Sequence, residues 1–286
     1  GLLHPVFLRT NGDDGYVSLE VSPLLAHDTA ATINEAHQLW QTVDRPNVMI
    51  KIPSTHEGLP AITECIAGGI NVNITLLFGL PRYREVANAF IQGVEERARR
   101  GADIHGVRSV ASFFLSRIDT LIDHELDERS RSNAAFMETA RGIRGEVAIA
   151  SARLAYQIYK EVFSSKRFQA LERKGARKQW LLWGSTSTKA KEYSDVKYVE
   201  ALIGPETVNT MPLETVDAYR DHGSPEPRLE RDLDRAREVM ARLASAGMDI
   251  DAITQKLEDD GVEKFVQPFG NLMQELDRKT RSLQAV

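Results

Sequence analysis

The strongest constraint on the fold is a rhythm: short apolar runs alternate with longer stretches of helical spacing along most of the 286 residues. Tyr16 to Val21, Val48 to Ile52, Ile70 to Phe78, Val107 to Phe114, Gln179 to Trp183 and Thr207 to Met211 read as six strands. Between them, apolar residues recur three and four apart, as in Ile33, Ala36, Trp40 and Val43 behind a candidate N-cap at Asp28. Leu59 to Ala67 reads as a short helix closed by Gly68-Gly69, and Val86, Phe90 and Val94 stripe the next one. A long helical region is expected after the fourth strand, interrupted by the polar stretch from Asp127 to Asn133. Beyond Pro225 and Pro227 the pattern is helical to the end, in about three segments.

Strands separated by helices imply parallel pairing through crossover connections. The strand runs lack clean alternation of apolar and polar residues, as expected where both faces are covered. Two architectures satisfy this rhythm, an open doubly wound sheet and a closed (β/α)8 barrel. No GxGxxG or GxxxxGK[ST] pattern follows the first strand, which weakens the nucleotide-binding form of the open sheet. A barrel needs eight strands, two more than are read here.

Composition narrows the function classes. A net charge of −5 speaks against a general nucleic-acid binder, which would present a basic face. No apolar run approaches the roughly 20 residues that span a bilayer. The single cysteine, Cys65, cannot form an internal disulfide and fits a buried helix position, in keeping with a reducing cytoplasm. The seven histidines show no HxH or HExxH spacing, so no metal site is expected. The acidic run Glu258-Asp259-Asp260 reads as a solvated helix end.

In a barrel, polar residues on or just after the C-terminal halves of the strands face the active site. Here these are Glu20, Lys51, Asn73, Thr75, Ser112, Arg117, Ser187 and Lys189. Each has an ordinary reading as well: a rim ion pair for Glu20, bonds within the barrel for Asn73 and Thr75, a surface ion pair for Arg117, a polar loop for Ser187 and Lys189. Lys51 lies in the middle of the apolar stretch NVMIKIPSTHEG. Its head either reaches water at a rim or is desolvated inside the barrel, where burial keeps some amine neutral and nucleophilic. A neutral lysine adds to a ketone to give a carbinolamine and then a Schiff base. Arg117 offers a planar fork for phosphate oxygens, and Ser187 with Lys189 a hydroxyl and a point charge.

VMIKIPST followed by INVNITLLF resembles the transaldolase family of Schiff-base (β/α)8-barrel enzymes. GYVSLEVSP, SVASFFLSRID and WGSTSTK fit in the same order, so the resemblance covers nearly the whole chain from Gly15 onward. It implies that Lys51 forms the Schiff base with a ketose phosphate, and that Glu20 and Thr75 hold the water used in proton transfer. Asn73 and Ser112 then contact substrate hydroxyls, and Arg117 belongs to the phosphate site. The second arginine of many relatives falls near Lys189, with Ser187 as its serine partner or Ser185 if the alignment slips. The implied reaction moves a dihydroxyacetone unit from fructose 6-phosphate (or sedoheptulose 7-phosphate) to erythrose 4-phosphate or glyceraldehyde 3-phosphate, with no cofactor or metal. The alternatives are a Schiff-base aldolase that releases dihydroxyacetone and an inactive barrel fragment that needs a missing segment.

In transaldolases the acid–base group is an aspartate on the first strand, assisted by an asparagine on the second. Neither strand is found in Gly1–Val286, which matches the count of six. The chain opens GLLHPVFLRTNGDDG, an apolar cluster like the tail of a helix, so residues 1–286 are expected to form one N-terminally incomplete barrel domain. Helices from about residue 228 onward are expected to pack on that barrel. The expected partners are small sugar phosphates, not nucleic acid or membrane, in a cytoplasmic monomer or homodimer.

Overall fold

The computed structural model describes residues 1–132 and 134–284. Six strands form one sheet: β1 (Val17–Glu20), β2 (Val48–Pro53), β3 (Val72–Leu77), β4 (Ser109–Phe114), β5 (Trp180–Gly184) and β6 (Thr207–Asn209). They lie side by side in chain order and every neighbouring pair is parallel. Sequential order with helical crossovers is the barrel arrangement, whereas a doubly wound sheet reverses its order at a switch point. The sheet is α/β and consistent with a TIM barrel. Among the described residues, β1 and β6 are its two edges.

The helices are α1 (His4–Arg9), α2 (Thr29–Val43), α3 (Gly58–Gly68), α4 (Leu80–Arg99), α5 (Ser116–Ser132), α6 (Ala134–Arg141), α7 (Val147–Phe163), α8 (Lys166–Glu172), α9 (Lys197–Ala201), α10 (Leu213–His222), α11 (Leu233–Ser245) and α12 (Ile250–Gln284). Their boundaries follow local chemistry. Asp28 caps α2 by accepting the Ala31 N–H at 2.9 Å, as its position predicts. Gly69 ends α3 at φ +88°, and a Cβ there would meet the Arg97 guanidinium at 2.5 Å.

The side chains of each strand divide between two cores. On β2, Ile50 and Ile52 join Ile62 and Ile66 of α3 in the layer between sheet and helices. The alternate residues face the barrel interior, where Met49, Val110 and Leu182 cluster against Tyr16, Trp180 and Val208. This explains why the strands read as continuous apolar runs. Cys65 lies fully buried in the outer layer, where burial pushes its thiol up to about 12.

Three expectations are corrected. α5 continues through Asp127 to Ser132 instead of breaking there; Asn133 lies outside the described residues. The C-terminal region is two helices, because α12 runs through Pro268 without ending. Finally, Glu258 is not a solvated helix end. It is buried within α12, where its Oε2 takes the Arg82 Nε–H at 3.1 Å. α11 packs on α7, and α12 crosses the end of β3 to reach α5.

Candidate active site

Register builds the site. Glu20 of β1 is level with Lys51 of β2, and Lys51 with Asn73 of β3, so one row of the sheet aligns three polar side chains. Residues level with one another in a sheet point to the same face. The Lys51 Nζ donates to Glu20 Oε2 at 3.2 Å. Ser112 Oγ donates to Asn73 Oδ1 at 2.6 Å, and Asn73 Nδ2 donates to Ser18 Oγ at 2.9 Å. The Asn73 amide is therefore held at both ends.

These groups line one cavity of about 400 Å³ with Phe114, Leu182, Gly184 and Thr210. A second cavity of about 260 Å³ lies below, walled by Met49, Val110, Trp180 and Val208, and shares Ser18, Asn73, Leu182 and Thr210 with the first. An apolar layer of Met49, Val110 and Leu182 thus underlies the polar row, and beyond it the second cavity reaches Asp13, Arg108 and Arg177. Desolvation of Lys51 is partial, since its side chain is 23% exposed and that of Glu20 29%. The Glu20 carboxylate pairs with the Lys51 ammonium and holds its head at the cavity.

Thr75 lies one inward position beyond Asn73, level with Pro53, and is fully buried outside the cavity lining. Its Oγ1 has no hydrogen-bond partner among the described residues. Such a hydroxyl costs about 1–3 kcal/mol unless water or substrate satisfies it.

Arg117 stands at the second position of α5, half-buried and free of any ion pair with a described residue. Its guanidinium lies 5.9 Å from the centroid of the Phe114 ring, itself part of the cavity wall. The N-terminal end of α5 adds partial positive charge. Ser185 is drawn to the same place: its Oγ lies 2.8 Å from Ser116 Oγ, and its carbonyl accepts the Ser116 N–H at 3.1 Å. Its φ of +54° shows a backbone turned to make that approach. Ser187 and Lys189 lie further along the loop and do not line the Lys51 cavity. Lys189 is exposed, donates to Ser187 Oγ at 2.8 Å, and lines a separate cavity with Asp123, Arg144 and Tyr193.

The model of the family described as "Transaldolase/Fructose-6-phosphate aldolase" matches residues 3–276. The chain belongs to the transaldolase/fructose-6-phosphate aldolase family. Among its relatives, a protein named transaldolase from Trichodesmium erythraeum is 47% identical, across 99% of this chain and 75% of its own length. Transaldolase 2 of a Nostoc species is 48% identical, across 100% and 76%. A transaldolase of Thermobifida fusca is 48% identical, across 99% and 75%.

Sequence reading missed several residues around this family's lysine strand. Ser18 shares the face of Glu20 two positions earlier, so strand alternation could have found it. Phe114 ends an apolar run, and Gly184 has no side chain to mark it as lining a cavity. Thr210 follows a strand of only three residues, too short for alternation to show which side it faces.

Proposed function

We propose that the chain is a transaldolase, transferring a three-carbon ketol unit between sugar phosphates through a Schiff base on Lys51. One observation carries the site assignment: the Lys51 amine stands in a polar cavity of the barrel interior, in a row with Glu20 and Asn73. Loss of a proton to Glu20 leaves a neutral amine, which adds to the donor ketone C2. Loss of water then gives the protonated imine. Cleavage of C3–C4 sends its electron pair into the imine as an enamine, while the C4 hydroxyl yields its proton to a base and departs as the aldehyde. The enamine carbon attacks the acceptor aldehyde, and water hydrolyses the new imine. Glu20 and Thr75 hold the water of these proton transfers, Asn73 and Ser112 orient the imine through substrate hydroxyls, and Arg117 holds the phosphate. Ser187 and Lys189 remain proposed on the resemblance, while the geometry favours Ser185 as the serine beside Arg117.

The same reading closes the barrel with two further strands between β6 and β1, from a segment outside Gly1–Val286. They complete one barrel domain and bring the aspartate that receives the C4 hydroxyl proton. Two features support this. β1 and β6 are both edges, and Val17 and Leu19, alternating with the inward Ser18 and Glu20, are 50% and 37% exposed on the outer face. No described helix is long and apolar enough to cross a membrane. The proposed setting is the cytoplasm, as a monomer or homodimer.

The test is reduction with borohydride in the presence of fructose 6-phosphate, followed by peptide mass spectrometry. A three-carbon or hexose adduct on Lys51, abolished in Lys51→Met, is expected. An adduct on another lysine, or none, would overturn the mechanism. Release of free dihydroxyacetone without acceptor would indicate the aldolase reaction instead of transfer.

A further inference from the structure

The loop between β5 and α9 carries Ser185, Ser187 and Lys189, and it is tied down at both ends. At its start, Ser185 bonds to Ser116 through backbone and hydroxyl. At its far end, the Tyr193 hydroxyl donates to Asp123 Oδ2 at 2.7 Å. Just beyond, Tyr198 and Lys197 both donate to Asp119 Oδ2, at 2.8 and 3.3 Å. The Lys197 ammonium also lies 3.6 Å from the centroid of the Tyr193 ring. Arg144 reinforces this end, donating to the Tyr193 hydroxyl and to Glu192 at 2.9 Å each.

Both aspartates are buried on α5, the helix that starts with Ser116 and Arg117. Four residues apart, they share one helix face. Their remaining oxygens take backbone N–H groups, Ala148 on Asp119 at 2.7 Å and Gly145 on Asp123 at 2.8 Å. Asp123 thus joins α5 to the loop and to the turn before α7, while Asp119 joins it to α7 and to the start of α9, where the loop ends. Burial raises Asp123, and burial beside the carboxylates raises Tyr193 and Tyr198, so both phenols stay protonated donors. Sealing two carboxylates close together is costly, and an apolar contact would fasten a loop at less cost. Directional bonds to charged acceptors instead set the loop's position relative to α5.

We propose that Asp119 and Asp123 are positioning residues for the substrate's phosphate, clamping the β5–α9 loop at a fixed distance from Arg117. This rests on the proposed reading of Arg117 as a phosphate arm. A guanidinium recognises phosphate through paired N–H groups, so a displaced partner loop weakens binding without touching the amine chemistry. A clamped loop also spares the substrate the cost of ordering it.

Tyr193→Phe deletes the hydroxyl and keeps the ring over Lys197. Measured in the protein with its barrel closed as proposed, it is expected to raise KM for fructose 6-phosphate and Ki for inorganic phosphate about tenfold, with kcat within about twofold, as befits loss of the bond to buried Asp123 and of the one from Arg144. Borohydride trapping of unphosphorylated dihydroxyacetone on Lys51 should be unchanged. Asp123→Asn should move the same quantities further; if it does not fold, Tyr193→Phe decides alone. Unchanged phosphate inhibition in Tyr193→Phe, or equal loss of dihydroxyacetone trapping, overturns the clamp. Arg117→Ala measured alongside separates the two ideas. If it weakens phosphate inhibition while Tyr193→Phe does not, the clamp fails and the phosphate arm stands. If Arg117→Ala leaves phosphate inhibition unchanged, the phosphate reading falls and the clamp's role falls with it.

Discussion

A threonine hydroxyl sealed from solvent and without a protein partner is a poor choice for stability, and Thr75 holds one. Valine has the same shape without the oxygen, so Thr75→Val removes the desolvation cost and leaves packing intact. Its urea midpoint should equal or exceed that of the parent. If Thr75 holds the water of proton transfer, kcat should nonetheless fall by about ten- to a hundredfold, the worth of a positioned proton-transfer group. Steady-state kinetics and urea titration on the same preparation check both; full activity would remove Thr75 from the mechanism. Residues of this kind were legible because they are polar interruptions near the ends of apolar strand runs: Lys51 breaks one run, and Asn73 and Thr75, two apart, share a face of the next. Ser18 obeyed the same rule and was overlooked. Ser187 and Lys189 were placed by their position after the fifth strand and by resemblance, and a loop has no periodicity to show which of its serines turns inward.

Helix α12 shows what single-residue chemistry hides at the level of an element. An acidic triplet reads as solvated because isolated carboxylates avoid burial, yet Glu258 faces Arg82, far away in sequence. Arg82 is itself buried and also bonds Glu85, Gln255 and His56. Glu258→Ala would strand that guanidinium with fewer partners, and a loss of about 3 kcal/mol in urea denaturation is expected. The pH dependence has a definite sign. Burial raises Glu258 above 4.5, so in this range the folded state binds the proton more tightly than the unfolded state. Its contribution to stability is then fullest at or below pH 4.5 and is lost as pH rises through the raised value. Glu258→Gln lacks this titration. Relative to the parent it should therefore gain stability between pH 4.5 and 7, and a constant or opposite difference would contradict the assignment. The expected three segments are two helices, and α12 continues on both sides of Pro268 although proline disfavours helix interiors. The polar stretch after Asp127 likewise stayed helical, as the exposed end of a helix anchored further back.

At the scale of the molecule, the alternating rhythm made the parallel α/β sheet and its six strands legible, because crossover connections leave few topologies. Strand order was legible only through the family resemblance, which implies a (β/α)8 barrel, since it depends on contacts between segments that no local pattern records. It decides the architecture: strands that neighbour one another in chain order match a barrel, and among the described residues β1 and β6 are the edges at which the proposed two strands would close it. Residues 1–286 alone then present open edges and apolar surface at Val17 and Leu19, together with Leu2, Leu3 and Leu8. If the proposed two strands fill the seam between β6 and β1, residues 1–286 expressed alone should bind a hydrophobic dye strongly, self-associate on size exclusion and show little transfer. Co-expression with a segment that supplies the two strands should lower dye binding, give a defined species and restore transfer. Changing that segment's aspartate to asparagine should keep the species while lowering kcat by about a hundredfold or more, with Lys51 still trapped by borohydride. Brisk turnover and weak dye binding by residues 1–286 alone would show that the seam needs no further strands, and that a base within this chain takes the C4 hydroxyl proton.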